Sequence, residues 1–543
     1  MSTAPSYFSR QALTVAVFII LASLPASLLR DLLPYNEIAY VQIAVQALSE
    51  HHFFTFYDQS LPFTAKQPLF MWLNYLAYLI SGPNPAAFML LLNAVAAAGL
   101  VLVLDHGIGQ ALQESLRGRA ALTVACFPLF LSYLIISQPY LLGVCFTLSA
   151  VALMARRCYL ILKDDPEMPP RGKVLILLCV SLGLLTQGIF ALLIPLATLL
   201  LSLLLQRRFR LYFRVLGRTF WIGLSVFVLL WLSVLWWEGG SAYLKALLEH
   251  ELWGRLTGEL GHKRSAWYFL LSFWYLSLPL GLVCCYCALK LLRLGVATLD
   301  VRLVFALVQP AAALLVISLP VAKEPAYLLY ALPLLGYLLT CYLQQAGSRD
   351  PTVRLLLVLG MLPFALLLFA YYPLKAHFAL LDSVYIVCAL LFILLCTALA
   401  MFKIFNSSAL NGAGAFAVGA LIMLFTFGFA VPSLNPYVGP VRAIETISAL
   451  HSRHPEQSSQ VCVAGERKVK LFSFIAPELN FTATGAYDAV RGECRQAYRL
   501  LGRKALLQEP ELESFKERDY AQSIGDKLIL APAPNLGNAQ EAQ

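Results

Sequence analysis

The stretch RDLLPYNEIAYVQIAV (30–45) directly follows an apolar segment, 12–29, and decides how the first part of the chain folds. Three charged side chains and one amide fall within eight residues beside a predicted bilayer boundary: Arg30, Asp31, Glu37 and Asn36. Such a cluster either marks the boundary with water or takes part in chemistry there.

The composition excludes an ordinary soluble protein. Of 543 residues, 59% are hydrophobic and 13% charged, and the mean hydropathy is +0.72, whereas soluble proteins carry roughly 25% charged residues. The apolar residues occur in blocks near bilayer length. They predict about thirteen transmembrane helices, at 12–29, 85–104, 119–136, 139–155, 174–187, 189–205, 219–237, 266–293, 301–319, 324–344, 355–373, 380–402 and 411–431. Gln187 and Gly188 favour a hairpin of two short helices over one long helix in the 174–205 block.

The net charge of +10 reflects topology and does not indicate nucleic-acid binding. Of the 40 basic residues, 19 lie in loops on the side of the N-terminus, 8 in loops on the opposite side and 13 after residue 431. Basic residues concentrate on the cytoplasmic side of membrane proteins. The chain is therefore predicted to be a multi-pass membrane protein with a cytoplasmic N-terminus, an uncleaved first segment and a C-terminal region on the outer side.

The first outer loop, 30–84, is predicted to contain two helices at the membrane surface. Its first helix carries an apolar face and a polar stripe, the latter formed by Gln42, Gln46 and Glu50, which suits a helix lying along the bilayer. The second, PLFMWLNYLAYLISG (68–82), is apolar but too short to span comfortably. A second outer loop is predicted at 238–265.

The chain is predicted to divide into a membrane domain, 1–431, and a small external α/β domain, 432–543. In the latter VRAIETISALHSR is typical of a helix, QVCVAG and DKLILAPAP are typical of strands, and the end is expected to be disordered. An oxidising compartment permits a disulfide between Cys462 and Cys494, and the sequence leaves that pairing open.

Polar residues on the outer face gather in a few segments: the Asp31–Glu37 stretch, Lys66, the 238–265 loop and KEPAY (323–327). Cations facing carboxylates at the lipid boundary suit a lipid-linked phosphate, since Arg and Lys bind phosphate oxygens and a carboxylate accepts an acceptor's proton. The alternative is that long basic side chains only reach from helix ends to water.

Four motifs resemble those of polyprenyl-phosphate-dependent glycosyltransferases of the protein mannosyltransferase and lipid A aminoarabinose transferase type. These motifs are NEIAYVQIA with the later KQPLFMWL, then GLLTQG (183–188), HELWGRLTGELGHKRSAWYF in the second outer loop, and AKEPAYLLYALPLL. The resemblance implies a C-type glycosyltransferase (GT-C) fold: a transmembrane helix bundle with a cavity open to the bilayer, plus the external α/β domain.

The same resemblance implies a donor sugar linked to polyprenyl phosphate and assigns residues to it. The donor phosphate would contact Lys66, Arg255 and Tyr327, with Lys323, His262 and Lys263 nearby. The family's catalytic Asp falls on Asn36 and the next acidic residue on Glu37. Further polar positions of the family are occupied here by Ala39, Gln42, Ala65 and Gln187.

Because an amide at Asn36 cannot act as a base, three interpretations stay open. In the first, Glu37 or Asp31 takes over as the catalytic base. In the second, the acceptor is a phosphate that is already ionised near neutral pH. In the third, the chain binds a lipid-linked glycan or a partner and catalyses no reaction.

The leading hypothesis is an inner-membrane glycosyltransferase that moves a hexose or pentose from polyprenyl phosphate to an external lipid or glycan. The alternatives are an inactive binder or assembly scaffold, and a lipid or glycan transporter. The expected partners are the donor, the acceptor and membrane lipids, without nucleic acid. We expect a monomer. The fold class permits a divalent metal, but no cluster of carboxylates on the outer face indicates a dedicated site, so no cofactor is expected.

Overall fold

The computed structural model describes residues 8–32, 37–58, 60–82, 85–163, 171–257, 263–347, 350–377, 381, 383–455, 457–464, 466, 469–484, 494, 497–508, 521–524 and 526–531. Its helices are α1 (Arg10–Leu29), α2 (Glu37–Ser49), α3 (Pro68–Ser81), α4 (Ala86–Gly107), α5 (Glu114–Leu122), α6 (Pro128–Ser132), α7 (Tyr140–Leu162), α8 (Arg171–Gln187), α9 (Phe190–Leu205), α10 (Leu211–Leu248), α11 (Arg255–Thr257), α12 (Tyr268–Leu276), α13 (Gly281–Leu294), α14 (Val301–Ser318), α15 (Leu332–Ala346), α16 (Pro351–His377), α17 (Val384–Asn406), α18 (Ala409–Gly428), α19 (Val431–Val438), α20 (Val441–Arg453) and α21 (Arg503–Gln508). The strands are β1 (Tyr57–Asp58), β2 (Leu61–Pro62), β3 (Gln460–Ala464), β4 (Asn480–Ala483), β5 (Tyr498–Leu501), β6 (Ala521–Ile524) and β7 (Lys527–Leu530).

The membrane domain is a bundle of apolar helices, as the sequence predicts. In the described ranges nine helices are long and apolar enough to cross a bilayer, and two sharply bent helix pairs raise the number to eleven. The bent pairs occupy the predicted 119–136 and 266–293 spans. The remaining two predicted spans are the shorter apolar helices α8 and α9.

Helices α8 and α9 form the hairpin that the sequence favours over a single long helix. Gly188 has a φ of +70°, a left-handed backbone conformation that glycine adopts without steric cost. The chain therefore reverses beside Gln187, and both α8 and α9 pack against α7. The hairpin also packs against α10 and α3, mainly through α8, and against α14 through α9.

The first outer loop forms two helices, α2 and α3, which pack against each other. The apolar face of α2 packs against protein: Ile38 and Val41 are fully buried in a cluster that includes Val441 of α20 and Phe474. The polar residues Gln46 and Glu50 stay exposed on the opposite face. This segment is thus held between the bundle and the C-terminal domain.

The C-terminal domain contains a five-stranded mixed sheet with the strand order β4-β3-β5-β7-β6. Strand β3 runs parallel to β4 and β5, whereas β7 is antiparallel to β5 and β6. Helix α20 buries Ile444 and Ile447 in the sheet's core. A disulfide joins Cys462 of β3 to Cys494, which settles the pairing that the sequence left open. The predicted disordered end lies outside the described residues.

Candidate active site

A cavity of about 330 Å³ opens among segments that lie on the predicted outer face. Helix α2, the loop before α3, the α8–α9 turn, the segment after α10 and the stretch before α15 all contribute to its wall. Its polar lining residues are Tyr40, Lys66, Gln67, Tyr140, Thr186, Gln187, His250, Arg255, Glu324 and Tyr327.

Arg255 and Tyr327 meet because their two segments are joined by backbone hydrogen bonds. The carbonyl of Arg255 accepts from the amides of Val321 at 3.0 Å and Ala322 at 3.2 Å. The side chains then touch directly, with Arg255 Nη1 donating to the Tyr327 hydroxyl at 3.1 Å. The Arg255 guanidinium also lies 5.5 Å from the ring centre of Phe190, close enough for a cation–π attraction. Arg255 and Tyr327, two of the three residues that the resemblance assigns to the donor phosphate, therefore face one space.

Lys66 reaches the same cavity from the first outer loop. Its ammonium lies 5.3 Å from the ring centre of Tyr40 and 5.2 Å from that of Tyr140. Glu238 of α10 fixes the loop upstream by accepting from the Thr55 amide at 2.8 Å and from the Thr55 hydroxyl at 2.7 Å. The cation thus approaches from the side of the cavity formed by α2 and α7, while Arg255 approaches from another segment.

A carboxylate that sequence reasoning did not select as a site residue, Glu324, lines the cavity as well. It accepts a hydrogen bond from the hydroxyl of Tyr140. Glu324 lies three residues before Tyr327 in the KEPAY segment. This closeness in sequence to a residue assigned to the donor phosphate is the sequence signal that points to Glu324 as a site residue. The cavity consequently combines basic side chains with a carboxyl group.

Hydroxyl groups complete the polar lining. Burial raises the pKa of Tyr40 to about 12, so this phenol stays protonated at physiological pH. Together with the Tyr327 hydroxyl, it provides donors suited to phosphate oxygens.

Glu37, the first candidate base, does not belong to the cavity lining, and its carboxylate is hydrogen-bonded by other groups. Its side chain is 1% exposed, and both its oxygens accept from Arg30 Nη2, at 2.9 and 3.0 Å. One oxygen also accepts from the Ser137 amide at 2.8 Å. This carboxylate joins the start of α2 to the loop before α7.

Asp31, the other candidate base, forms an ion pair with Arg442 of α20 at 2.9 Å. Burial raises the pKa of Asp31, and the adjacent Arg442 opposes that shift. Asp31 is absent from the lining of the cavity. Asn36 and His262 lie outside the described residues.

Two predicted cations stand apart from the cavity lining. Lys323 is 2% exposed, and its ammonium donates to the carbonyl of Pro320; burial lowers its pKa. Lys263 is exposed, and its backbone forms a bridge with Ala322. Of the three cations at 66, 255 and 323, the first two share the cavity.

Two positions at which the chain departs from the family pattern, Ala65 and Gln187, line the cavity. The side chain of Gln187 packs directly on Gly143 of α7, where a Cβ added to the glycine would lie 2.0 Å from Gln187 Cγ.

Within the described part of the chain, no three His, Cys, Asp or Glu side chains are grouped closely enough to hold a metal ion.

Comparison with known proteins supports the fold independently of these motifs. No protein-family model and no curated protein matches the chain. The crystal structure of ArnT from Cupriavidus metallidurans bound to undecaprenyl phosphate aligns with a TM-score of 0.65 at 17% identity, over 97% of this chain and 98% of that one. The apo crystal structure of the same protein aligns with a TM-score of 0.63 at 16% identity, over 96% and 97% of the two chains. The chain is therefore a polytopic membrane protein with the C-type glycosyltransferase fold that its outer-loop motifs predict.

Proposed function

We propose that this protein is a glycosyltransferase that takes a sugar from polyprenyl phosphate and transfers it to an external lipid or glycan. The observation that carries the proposal is one cavity, in this fold, lined by Lys66, Arg255 and Glu324. The ArnT structure of the same fold holds undecaprenyl phosphate, which is the chemical class of donor that the two cations would bind.

Lys66 and Arg255 would hold the phosphate of the donor. An arginine presents paired donors to phosphate oxygens, and a lysine adds a compact point charge. As the bond between sugar and phosphate breaks, negative charge accumulates on the leaving phosphate. Cations fixed in advance at that position stabilise this additional charge in the transition state more than the single negative charge of the bound phosphodiester donor.

Glu324 would act as the general base. The hydroxyl oxygen of the acceptor attacks the anomeric carbon, the bond between that carbon and the phosphate oxygen breaks, and the phosphate leaves with the electron pair. The proton of the acceptor hydroxyl passes to the Glu324 carboxylate. This assignment removes the need for a carboxylate at Asn36.

Glu37 and Asp31 would have structural roles. Arg30 and the Ser137 amide saturate Glu37, so its loss would misplace α2 and with it Tyr40. Asp31 would join the first outer loop to the C-terminal domain through Arg442.

The proposed setting is the bacterial inner membrane, with a cytoplasmic N-terminus and the cavity on the periplasmic side. The sugar is proposed to be a hexose or pentose, since the resemblance covers both classes of donor. The C-terminal domain would then lie in the oxidising periplasm, in agreement with its Cys462–Cys494 disulfide.

The test combines binding and turnover. Purified protein is titrated with undecaprenyl phosphate and incubated with a panel of polyprenyl-phosphate hexoses and pentoses plus membrane lipid extract, and released polyprenyl phosphate and glycosylated product are measured. Lys66→Met should weaken binding and transfer. Lys245→Met is the matched control, because Lys245 is exposed in α10 and, among the described residues, forms an ion pair with the exposed Glu249 alone.

Three results would overturn the proposal. Absence of polyprenyl-phosphate binding would remove the donor site. Binding without product from any panel member would favour a scaffold. Movement of lipid across proteoliposomes without cleavage would favour a transporter.

A further inference from the structure

A second cavity, here called the inner pocket, lies at the opposite end of the helices that wall the candidate active site. It has a volume of about 650 Å³ and is lined by residues of α7, α8 and α10. Along α7, Tyr140 lines the outer cavity and Arg157 the inner pocket; seventeen residues at about 1.5 Å each separate them by about 25 Å. The two sites therefore lie near opposite boundaries of the bilayer.

The charged residues lining the inner pocket are all basic: Arg157, Lys173, Arg214 and Arg218. Within the described ranges no carboxylate forms an ion pair with any of them. Like charges crowded together repel, so this arrangement favours an anion between them.

Two of the cations are held by specific contacts. Arg157 is only 5% exposed, and its Nε donates to the carbonyl of Val215 at 2.8 Å. Lys173 lies against the kink of α10 at Gly217, where φ is +68° and a Cβ would come within 2.7 Å of its ammonium. A glycine at this kink leaves room for the lysine head group.

The same pocket has an apolar side. Phe213, Trp221 and Ile222 line it and are 60%, 38% and 63% exposed outside the protein. On a membrane helix such side chains face acyl chains. Cations at one end and exposed apolar side chains beside them match a phospholipid, with its head group in the pocket and its chains along α10.

The general excess of basic residues on the cytoplasmic side does not explain this pocket. A topology signal needs only positive charge in the loops, and exposed Arg208 and Arg210, outside the pocket lining, already provide it. A buried arginine bonded to a backbone carbonyl is a different feature. Basic pockets between transmembrane helices on the cytoplasmic side bind anionic lipid head groups.

We infer that the inner pocket binds the phosphate head group of an anionic phospholipid from the membrane leaflet opposite the candidate active site. This inference does not depend on the proposed transferase activity. Arg157 and Lys173 form the fixed part of the site, and Arg214 and Arg218 close on the phosphate from the exposed side.

The experiment is native mass spectrometry of the full chain in detergent, titrated with phosphatidylglycerol or with phosphatidylcholine. The wild type should retain phosphatidylglycerol preferentially. The double variant Arg214→Gln, Arg218→Gln should bind it about 25-fold more weakly, at about fivefold per cation. The matched control is Arg208→Gln, Arg210→Gln, which removes the same charge from the same face outside the pocket.

Three outcomes would overturn the inference: equal retention of the two lipids by the wild type, equal loss in both double variants, or full displacement of the lipid by excess inorganic phosphate, which would make the ligand a free anion. Both substituted arginines of the test variant are exposed, so we expect the variant to fold. Its thermal unfolding, compared with that of the control variant, checks this. Lys66→Met should leave phosphatidylglycerol retention unchanged, which separates this site from the outer cavity.

Discussion

The outer cavity and the inner pocket lie at opposite ends of the same helices and differ in one chemical respect. The outer cavity places Lys66 and Arg255 with the carboxylate of Glu324, whereas the four charged residues of the inner pocket are all cations. Cations alone are sufficient to hold an anion. Transfer of a group to a hydroxyl also needs a nearby acceptor for the proton, and only the outer cavity combines the two.

Removal of the outer carboxylate is the strongest test of that comparison. Glu324→Gln preserves the shape and removes the base, so transfer should fall about 10²–10⁴-fold, the range for general-base catalysis, with donor binding retained. The measurement is the initial rate of product formation. Glu249→Gln is the control, since Glu249 is an exposed carboxylate outside the cavity lining. Full activity in Glu324→Gln would favour an acceptor phosphate that attacks without a base.

Removal of an outer cation should affect donor binding next. Arg255→Met eliminates the guanidinium that contacts Tyr327, and we expect roughly 10–100-fold weaker binding of undecaprenyl phosphate, as for a lost charge-assisted contact. Isothermal titration measures this. Arg264→Met is the control, because Arg264 is exposed and outside the lining. An equal loss in both variants would mean that diffuse positive charge suffices.

A substitution of the glycine at the kink of α10 tests whether the backbone there positions Lys173 for lipid binding in the inner pocket. Gly217→Ala places a Cβ against the Lys173 ammonium, at a φ of 68° and a ψ of 174°, a backbone conformation that essentially only glycine adopts and that costs an L-residue about 1–3 kcal/mol. Phosphatidylglycerol retention should fall about tenfold while undecaprenyl phosphate affinity stays at its wild-type value. Gly99→Ala is the control, because the nearest neighbour of a Cβ there lies 4.0 Å away. A matching loss of affinity at the outer cavity would show that the two ends are not independent.

The smallest expected effect concerns a single hydroxyl. Tyr327→Phe removes the acceptor of the Arg255 hydrogen bond and one donor to phosphate, so donor affinity should fall about fivefold, as for one neutral hydrogen bond. The ring packing against Phe190, with centres 5.0 Å apart, is kept. Unchanged affinity in a calorimetric titration would remove this hydroxyl from the phosphate site.

The transmembrane bundle could be predicted from the sequence because apolar blocks of bilayer length are a local signal. Every predicted span corresponds to a helix, a bent pair or a short hairpin helix. The helix at 441–453 and the strands at 460 and 527 follow equally local patterns.

The site was only partly accessible from sequence, since it depends on distant contacts. The sequence makes Glu37 a candidate base, whereas its contact with the Ser137 amide, a hundred residues away, is visible only in the fold. The sequence does not single out Glu324, because the orientation of its side chain toward Tyr140 is set by tertiary packing. Arg157, Lys173, Arg214 and Arg218 counted as a topology signal, and only the fold groups them around one space.

Helix α2 links the C-terminal domain to the outer cavity, since Ile38 and Val41 pack with Val441 while Tyr40 of the same helix lines the cavity. A truncation that ends before α20 would expose the apolar side chains of α2 to water and promote aggregation of the shortened chain. The C-terminal domain therefore supports the position of α2 at the cavity, and shortened versions of this protein should keep this domain.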